Sequence, residues 1–136
     1  MLARSIQFIS DVKFKEFNLQ RGQFIFLTRV CENPGFNQID LSNLLKVDKT
    51  TTTKAIQKLI EEGYITKERD NTDKRMWRIF PTSKAHTVYH IIIEEENTNI
   101  AVCFGNFTEN EKQLVYELVK KMSGNIEEEW KKLKKN

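Results

Sequence analysis

Between Gln38 and Pro81 the residue pattern changes period, from helical to alternating, and that change constrains the fold more than any other feature. From Gln38 to Lys46, Leu41, Leu44 and Leu45 recur at helical spacing, and Val47-Asp48 interrupts the series. A second helix is expected up to Glu62, with Thr52, Ala55, Ile56, Leu59 and Ile60 on its buried side. Asp48 is placed to cap its first amides, and Gly63 to end it in the left-handed conformation that glycine tolerates. Tyr64 to Arg69 then reads as a strand, Asp70 to Lys74 as a polar loop and Arg75 to Phe80 as a second strand. Pro81, which has no N–H for a ladder, closes the pair.

Helix, tight turn, helix and hairpin in that order make a winged helix-turn-helix, in which the second helix enters a major groove and the hairpin flanks it. The spacing predicts helices around this unit as well. Residues 2 to 17 carry Leu2, Ile6, Phe8, Ile9, Val12, Phe14 and Phe17 on a wide apolar face, and a second helix is expected from Arg21 to Glu32, stopped by Asn33-Pro34-Gly35. Thr82 can cap a fifth helix running through Ala85, Val88, Tyr89 and Ile92 toward Ile100 and Cys103. Thr108 to Glu111 is a capping box for a sixth, with Leu114, Val115, Leu118, Val119 and Met122 on one side. Ile126, Trp130 and Leu133 continue that pattern, so Gly124 marks a kink or a break. The expected fold class is therefore mainly α (α+β), a winged helix with helical extensions whose apolar faces the winged helix alone cannot cover.

Length and composition fit one soluble globular domain: 136 residues, 39% hydrophobic and 30% charged. No apolar run approaches a membrane span, Met1 to Asp11 lacks the layout of a signal peptide, and a cytoplasmic protein without membrane contact is expected. Cys31 and Cys103 lie far apart, without metal-ligand spacing, so no metal, cofactor or structural disulfide is expected. The net charge is only +3, but its distribution is uneven. Nine cations face six anions between residues 48 and 84, whereas residues 85 to 136 carry seven cations and nine anions.

The ordered set of short signatures resembles the MarR family of transcriptional regulators over nearly the whole chain. Leu19, Gln23-Phe24, Leu27 and Pro34-Gly35 resemble the family's second helix and following turn. Gln38-Ile39-Asp40-Leu41-Ser42 to Leu45, with Asp48, resembles its third helix, and Thr50-Thr51-Thr52-Thr53-Lys54 to Leu59, then Gly63-Tyr64-Ile65, its recognition helix. Asp73-Lys74-Arg75 and Pro81-Thr82-Ser83-Lys84-Ala85 resemble its wing and the entry to helix five. Ser42 and Thr52 stand where the family favours Ala and Val, Lys54 and Lys67 where Arg is common, and Pro81 and Ala85 where Leu and Gly are usual. Lys cannot make the bidentate fork with which Arg reads guanine.

The resemblance implies a single domain over 1–136, with residues 20–84 as the DNA-binding lobe and 1–19 and 85–136 as a dimerisation region. It implies a homodimer on a pseudo-palindromic double-stranded DNA operator, acting as a repressor that responds to a small phenolic or lipophilic effector. Lys49, Thr50, Thr53, Lys54 and Gln57 fall opposite Ile56 and Leu59 and can approach DNA, with Thr51 beside them. Short hydroxyls suit phosphates and thymine methyls, and Gln57 suits adenine. In the wing, the resemblance implies that Asp73 orients Arg75 toward a minor groove. Arg69, Lys74 and Arg78 suit phosphates or, alternatively, cross-strand pairing with Glu68 or Asp70. Trp77 is expected to pack at the hairpin base. Phe8, Val12, Phe26 and Ile79 are expected to be core, with an effector pocket as the alternative.

Two other classes compete. A winged helix can serve as a protein-interaction module, but such a module need not place cations on both recognition helix and wing tip, as Lys49, Lys54 and Arg75 do here. A redox-sensing regulator would use Cys31 or Cys103, which lie on apolar faces where thiols are usually inert. His86 and His90 are one helical turn apart without a third ligand, so they read as surface residues and no enzyme is expected.

Overall fold

The computed structural model describes residues 1–134; residues 135–136 of the expected C-terminal helical region lie outside the described residues. Among the described residues, six α-helices and one hairpin follow in the order α1 (Leu2–Lys13), α2 (Gln23–Glu32), α3 (Gln38–Leu45), α4 (Lys49–Glu61), β1 (Ile65–Arg69), β2 (Trp77–Pro81), α5 (Ser83–Phe104) and α6 (Glu109–Lys134). Two compact units form, residues 1–99 and residues 100–136. Within the described residues no helix is long and apolar enough to cross a membrane.

The first unit is built on a core from every element it contains except α1, with Leu19, Leu27, Leu41, Leu59 and Ile92 all fully enclosed. The first helix ends at Lys13, four residues before the end that its apolar spacing suggests. Phe14 turns inward there, 1% exposed, and sets its ring 5.0 Å from that of Phe24. A 3-10 turn (Lys15–Phe17) and a left-handed Asn18 then bring Leu19 into the core. Helix α2 begins two residues later than expected because Arg21 and Gly22 both take positive φ. Burial of large side chains thus overrides the continuous helical pattern, as tertiary packing commonly does.

The turn between α3 and α4 is fixed by local chemistry. The Asp48 carboxylate accepts the Thr51 amide at 2.7 Å, the expected cap, and the Thr51 hydrogen bonds hold that carboxyl below its usual range. At the other end Gly63 has φ +78, the Tyr64 amide reaches the Leu59 carbonyl and the Gly63 amide that of Ile60. This double bond pattern satisfies carbonyls that a helix end leaves orphaned.

The hairpin is antiparallel, with Ile65 opposite Pro81, Lys67 opposite Ile79 and Arg69 opposite Trp77. Pro81 is the last rung, and the tip loop runs to Met76. The Gly35 amide donates to the Ile79 carbonyl at 2.8 Å and the Ile79 amide to the Phe36 carbonyl at 2.9 Å. The segment after α2 therefore lines the free edge of β2 and ties the wing to the helical core.

In the second unit, Phe104 and Phe107 stack edge to face with centroids 5.5 Å apart. The Thr108–Glu111 capping box forms in both directions and opens α6, which continues through Gly124 as one helix.

Candidate nucleic-acid interface

Helix α4 is amphipathic, and its two sides do different work. Thr52, Ala55, Ile56 and Leu59 are buried, whereas Lys49, Thr50, Thr51, Thr53, Lys54 and Gln57 are all exposed. The four consecutive threonines separate accordingly. The Thr52 hydroxyl is buried, donating to the Asp48 carbonyl at 3.0 Å while accepting from Ser42 of α3 at 2.7 Å. Thr51 meets the Asp48 carboxylate through its amide, the cap described above. The Thr53 hydroxyl donates to the Lys49 carbonyl at 2.8 Å and accepts from the Gln38 amide. The Thr50 hydroxyl has no hydrogen-bond partner among the described residues. Gln57 is tethered to Glu61 at 3.3 Å, so its amide is engaged in the unbound protein.

The wing tip is organised by carboxylates. Asp70 accepts from the Thr72 amide and hydroxyl, the Asp73 amide and the Arg78 Nε. The Arg78 guanidinium beside it, with the backbone bond from Asp73 next in weight, holds the Asp70 carboxyl well below the usual carboxylate range. Asp73 in turn accepts the Arg75 amide at 3.1 Å and lies 3.5 Å from its Nε. The Arg75 side chain is 94% exposed, so the wing presents a cation held beside Asp73 with the outer face of its guanidinium open to solvent. Lys74 is also exposed.

For Arg78 the structure shows the pairing alternative: besides Asp70, at 2.6 Å, it donates to the Gly35 carbonyl at 2.9 Å, clamping the wing to the turn after α2. Of the two carboxylates weighed for it, Asp70 takes the contact. Two expectations require correction. Trp77 is not core but 44% exposed, because the ladder outruns the core. Ile79 on the same face is enclosed, whereas Trp77, two residues nearer the tip, has only the Arg69 guanidinium across its ring at 5.0 Å. Finally, Phe26 and Ile79 are buried but Phe8 and Val12 are 70% and 61% exposed, so the four do not share one environment. Gln38 is a residue that spacing alone did not single out. It opens α3 beside the Asn37–Asp40 capping box, yet its side chain reaches across to Thr53 on α4.

The half-buried Cys31 thiol is pushed up to about 11 by burial, with the Glu32 charge adding to it, and Cys103 is exposed. His86 and His90 are exposed on α5, and the described residues contain no cluster of three metal-ligating side chains.

A family model described as transcriptional regulator SarA/Rot matches residues 7–92. The uncharacterized HTH-type transcriptional regulator YybA of Bacillus subtilis is 38% identical over 135 residues, spanning 99% of this chain and 90% of its own. A MarR protein from Peptoclostridium difficile superposes with a TM-score of 0.94 at 58% identity, covering 97% of this chain and 86% of that one. The chain belongs to the MarR-type, SarA/Rot transcriptional regulators. The regulator is not an enzyme. Its winged helix is also similar to that of a putative MarR family transcriptional regulator from Listeria monocytogenes, solved in complex with a 26mer DNA. That similarity has a TM-score of 0.93 at 40% identity over 98% of this chain and 89% of the other.

Proposed function

We propose that the regulator binds double-stranded DNA as a homodimer on a pseudo-palindromic operator, with α4 in the major groove and the wing at the adjacent minor groove. It acts as a repressor, relieved by a small phenolic or lipophilic effector as the family resemblance implies. The observation that carries the DNA reading is the joint presentation, within the 1–99 unit, of the exposed Lys49–Gln57 face and the exposed wing cation Arg75. The DNA-bound relative from Listeria supports it. Dimerisation is supported by apolar side chains left exposed on both units: Leu2, Phe8, Ile9 and Val12 on α1, and Leu118, Val119, Met122 and Ile126 on α6. One recognition helix reads too few base pairs for an operator, and a symmetric pair doubles the contact.

Fluorescence anisotropy of a labelled mixed-sequence duplex, titrated at several salt concentrations, tests the reading. Logarithmic affinity should fall linearly with logarithmic salt, by about 0.9 per phosphate neutralised. Absence of binding at low ionic strength would remove the proposal and leave the protein-interaction reading in its place.

A further inference from the structure

We infer that Thr53 is a thymine-reading residue that works through its methyl group and not through its hydroxyl. The inference rests on α4 entering the major groove. A threonine hydroxyl carries one proton and two lone pairs. In Thr53 the proton is spent on the Lys49 carbonyl at 2.8 Å, one turn back, and a lone pair is occupied by the Gln38 side-chain amide arriving from α3. Gln38 also approaches the same Lys49 carbonyl at 3.5 Å, so the arrangement ties two helices and is not a stray rotamer.

The consequence is chemical. Phosphate oxygens and the thymine O4 only accept hydrogen bonds, and Thr53 has no proton left to give them. Thr53 is nevertheless exposed on the Lys49–Gln57 face. Its one remaining lone pair can only accept, as from an adenine or cytosine amine, and gives nothing to a thymine; what Thr53 can offer thymine is the γ-methyl, which matches the C5-methyl, the apolar feature of the major groove. Its neighbours do not share this position. Thr52 is buried, Thr51 is engaged by Asp48, and Thr50 keeps a free hydroxyl suited to phosphate. A run of four identical residues thus holds one methyl reader, set by a contact from the preceding helix.

The test uses the full-length protein and the duplex that it enriches from a random-sequence library. Each thymine is replaced in turn by deoxyuridine, which removes only the C5-methyl. Wild type should lose about fourfold in affinity at one thymine per half-site, the size of one buried methyl group. Thr53→Val, which keeps the methyl and lacks the hydroxyl, should retain that sensitivity; Thr53→Ser, which keeps the hydroxyl and lacks the methyl, should lose it. Wild type indifferent to every deoxyuridine, sensitivity that persists in Thr53→Ser, or sensitivity that disappears in Thr53→Val would each overturn the inference. A wild-type protein that enriches no sequence would instead remove the DNA reading beneath it, so the two failures are distinguishable.

Discussion

Ser42 on α3 donates a hydrogen bond to Thr52 on α4 at 2.7 Å, and both side chains are buried. These are two of the positions at which the chain departs from the usual MarR pattern, which favours Ala and Val. The pair replaces an apolar contact by a polar one at the seam of the helix-turn-helix. Ser42→Ala strips the Thr52 oxygen of its donor, and Thr52→Val leaves the Ser42 hydroxyl buried without an acceptor. Thr52→Val should cost about 1 to 2 kcal/mol, because an orphaned buried polar group is more expensive than the bond is worth, whereas Ser42→Ala should cost about 1 kcal/mol or less, since the Thr52 hydroxyl keeps its bond to the Asp48 carbonyl. The double variant should lie close to wild type, since the Asp48 carbonyl keeps the Thr52 amide at 3.1 Å. Urea denaturation of the four proteins measures this coupling, and additive losses would contradict it.

Asp70 makes the wing sensitive to acid. Its carboxyl titrates well below the usual range in the folded protein, with Arg78 the main cause. Between the unfolded value, about 3.9, and the lower folded value, the unfolded chain binds more protons, so stability falls as pH falls. The stabilisation is complete above that window, and neutral conditions do not alter it. Comparing urea midpoints of wild type and Asp70→Asn from pH 5 to pH 3 should show a steeper decline in wild type. Parallel profiles would mean that the Asp70–Arg78 pair contributes nothing to folding.

What the sequence discloses and what it conceals follows the range of each interaction. Asp48, Gly63 and the Thr108/Glu111 box are legible because a cap is completed within about four residues, so spacing contains the whole contact. The candidate face of α4 is legible for the same reason, since a helical period separates Ile56 from Lys54. The fate of individual side chains is not. Arg78 is claimed by Gly35, 43 positions away, and Thr53 by Gln38 on the preceding helix, and neither follows from periodicity. Trp77 misleads because alternation tells which face a strand residue takes but not where the core beneath that face ends. The same blindness hides the end of α1, which Phe14 sets by turning toward Phe24.

Arg75 should dominate the wing's share of DNA affinity. Its head is 94% exposed, and Asp73 holds its amide and lies beside its Nε. Arg75→Ala should weaken binding by about tenfold and reduce the salt slope by roughly two for a symmetric pair, at 0.9 per cation lost. Asp73→Ala leaves the cation in place but removes its alignment, so it should weaken affinity less and leave the slope nearly unchanged. Anisotropy at four or more salt concentrations separates these two outcomes.

The exposed apolar side of α6 gives a separate prediction for assembly. Leu118 and Met122 are 49% and 68% exposed, and they are one helical turn apart. Replacing both by Glu places two charges in the apolar face proposed as the subunit contact, where burial would cost them their hydration. Sedimentation velocity should then report a monomer, while circular dichroism retains the helical signal of wild type. A dimer that survives both substitutions would locate the contact elsewhere on the chain.

Cys31 should be a poor oxidant sensor. Burial, joined by the charge of Glu32, pushes its thiol up to about 11, so at pH 7.5 the thiolate is a very small fraction of the population. Alkylation and peroxide oxidation both proceed through the thiolate, and a half-buried sulfur is in addition poorly accessible. In a Cys103→Ser background, iodoacetamide labelling followed by mass spectrometry should therefore be slow at pH 7.5 and accelerate only as pH approaches the raised value. Rapid labelling near neutrality would show that the helix α2 environment opens in solution, and would restore Cys31 as a candidate for redox control.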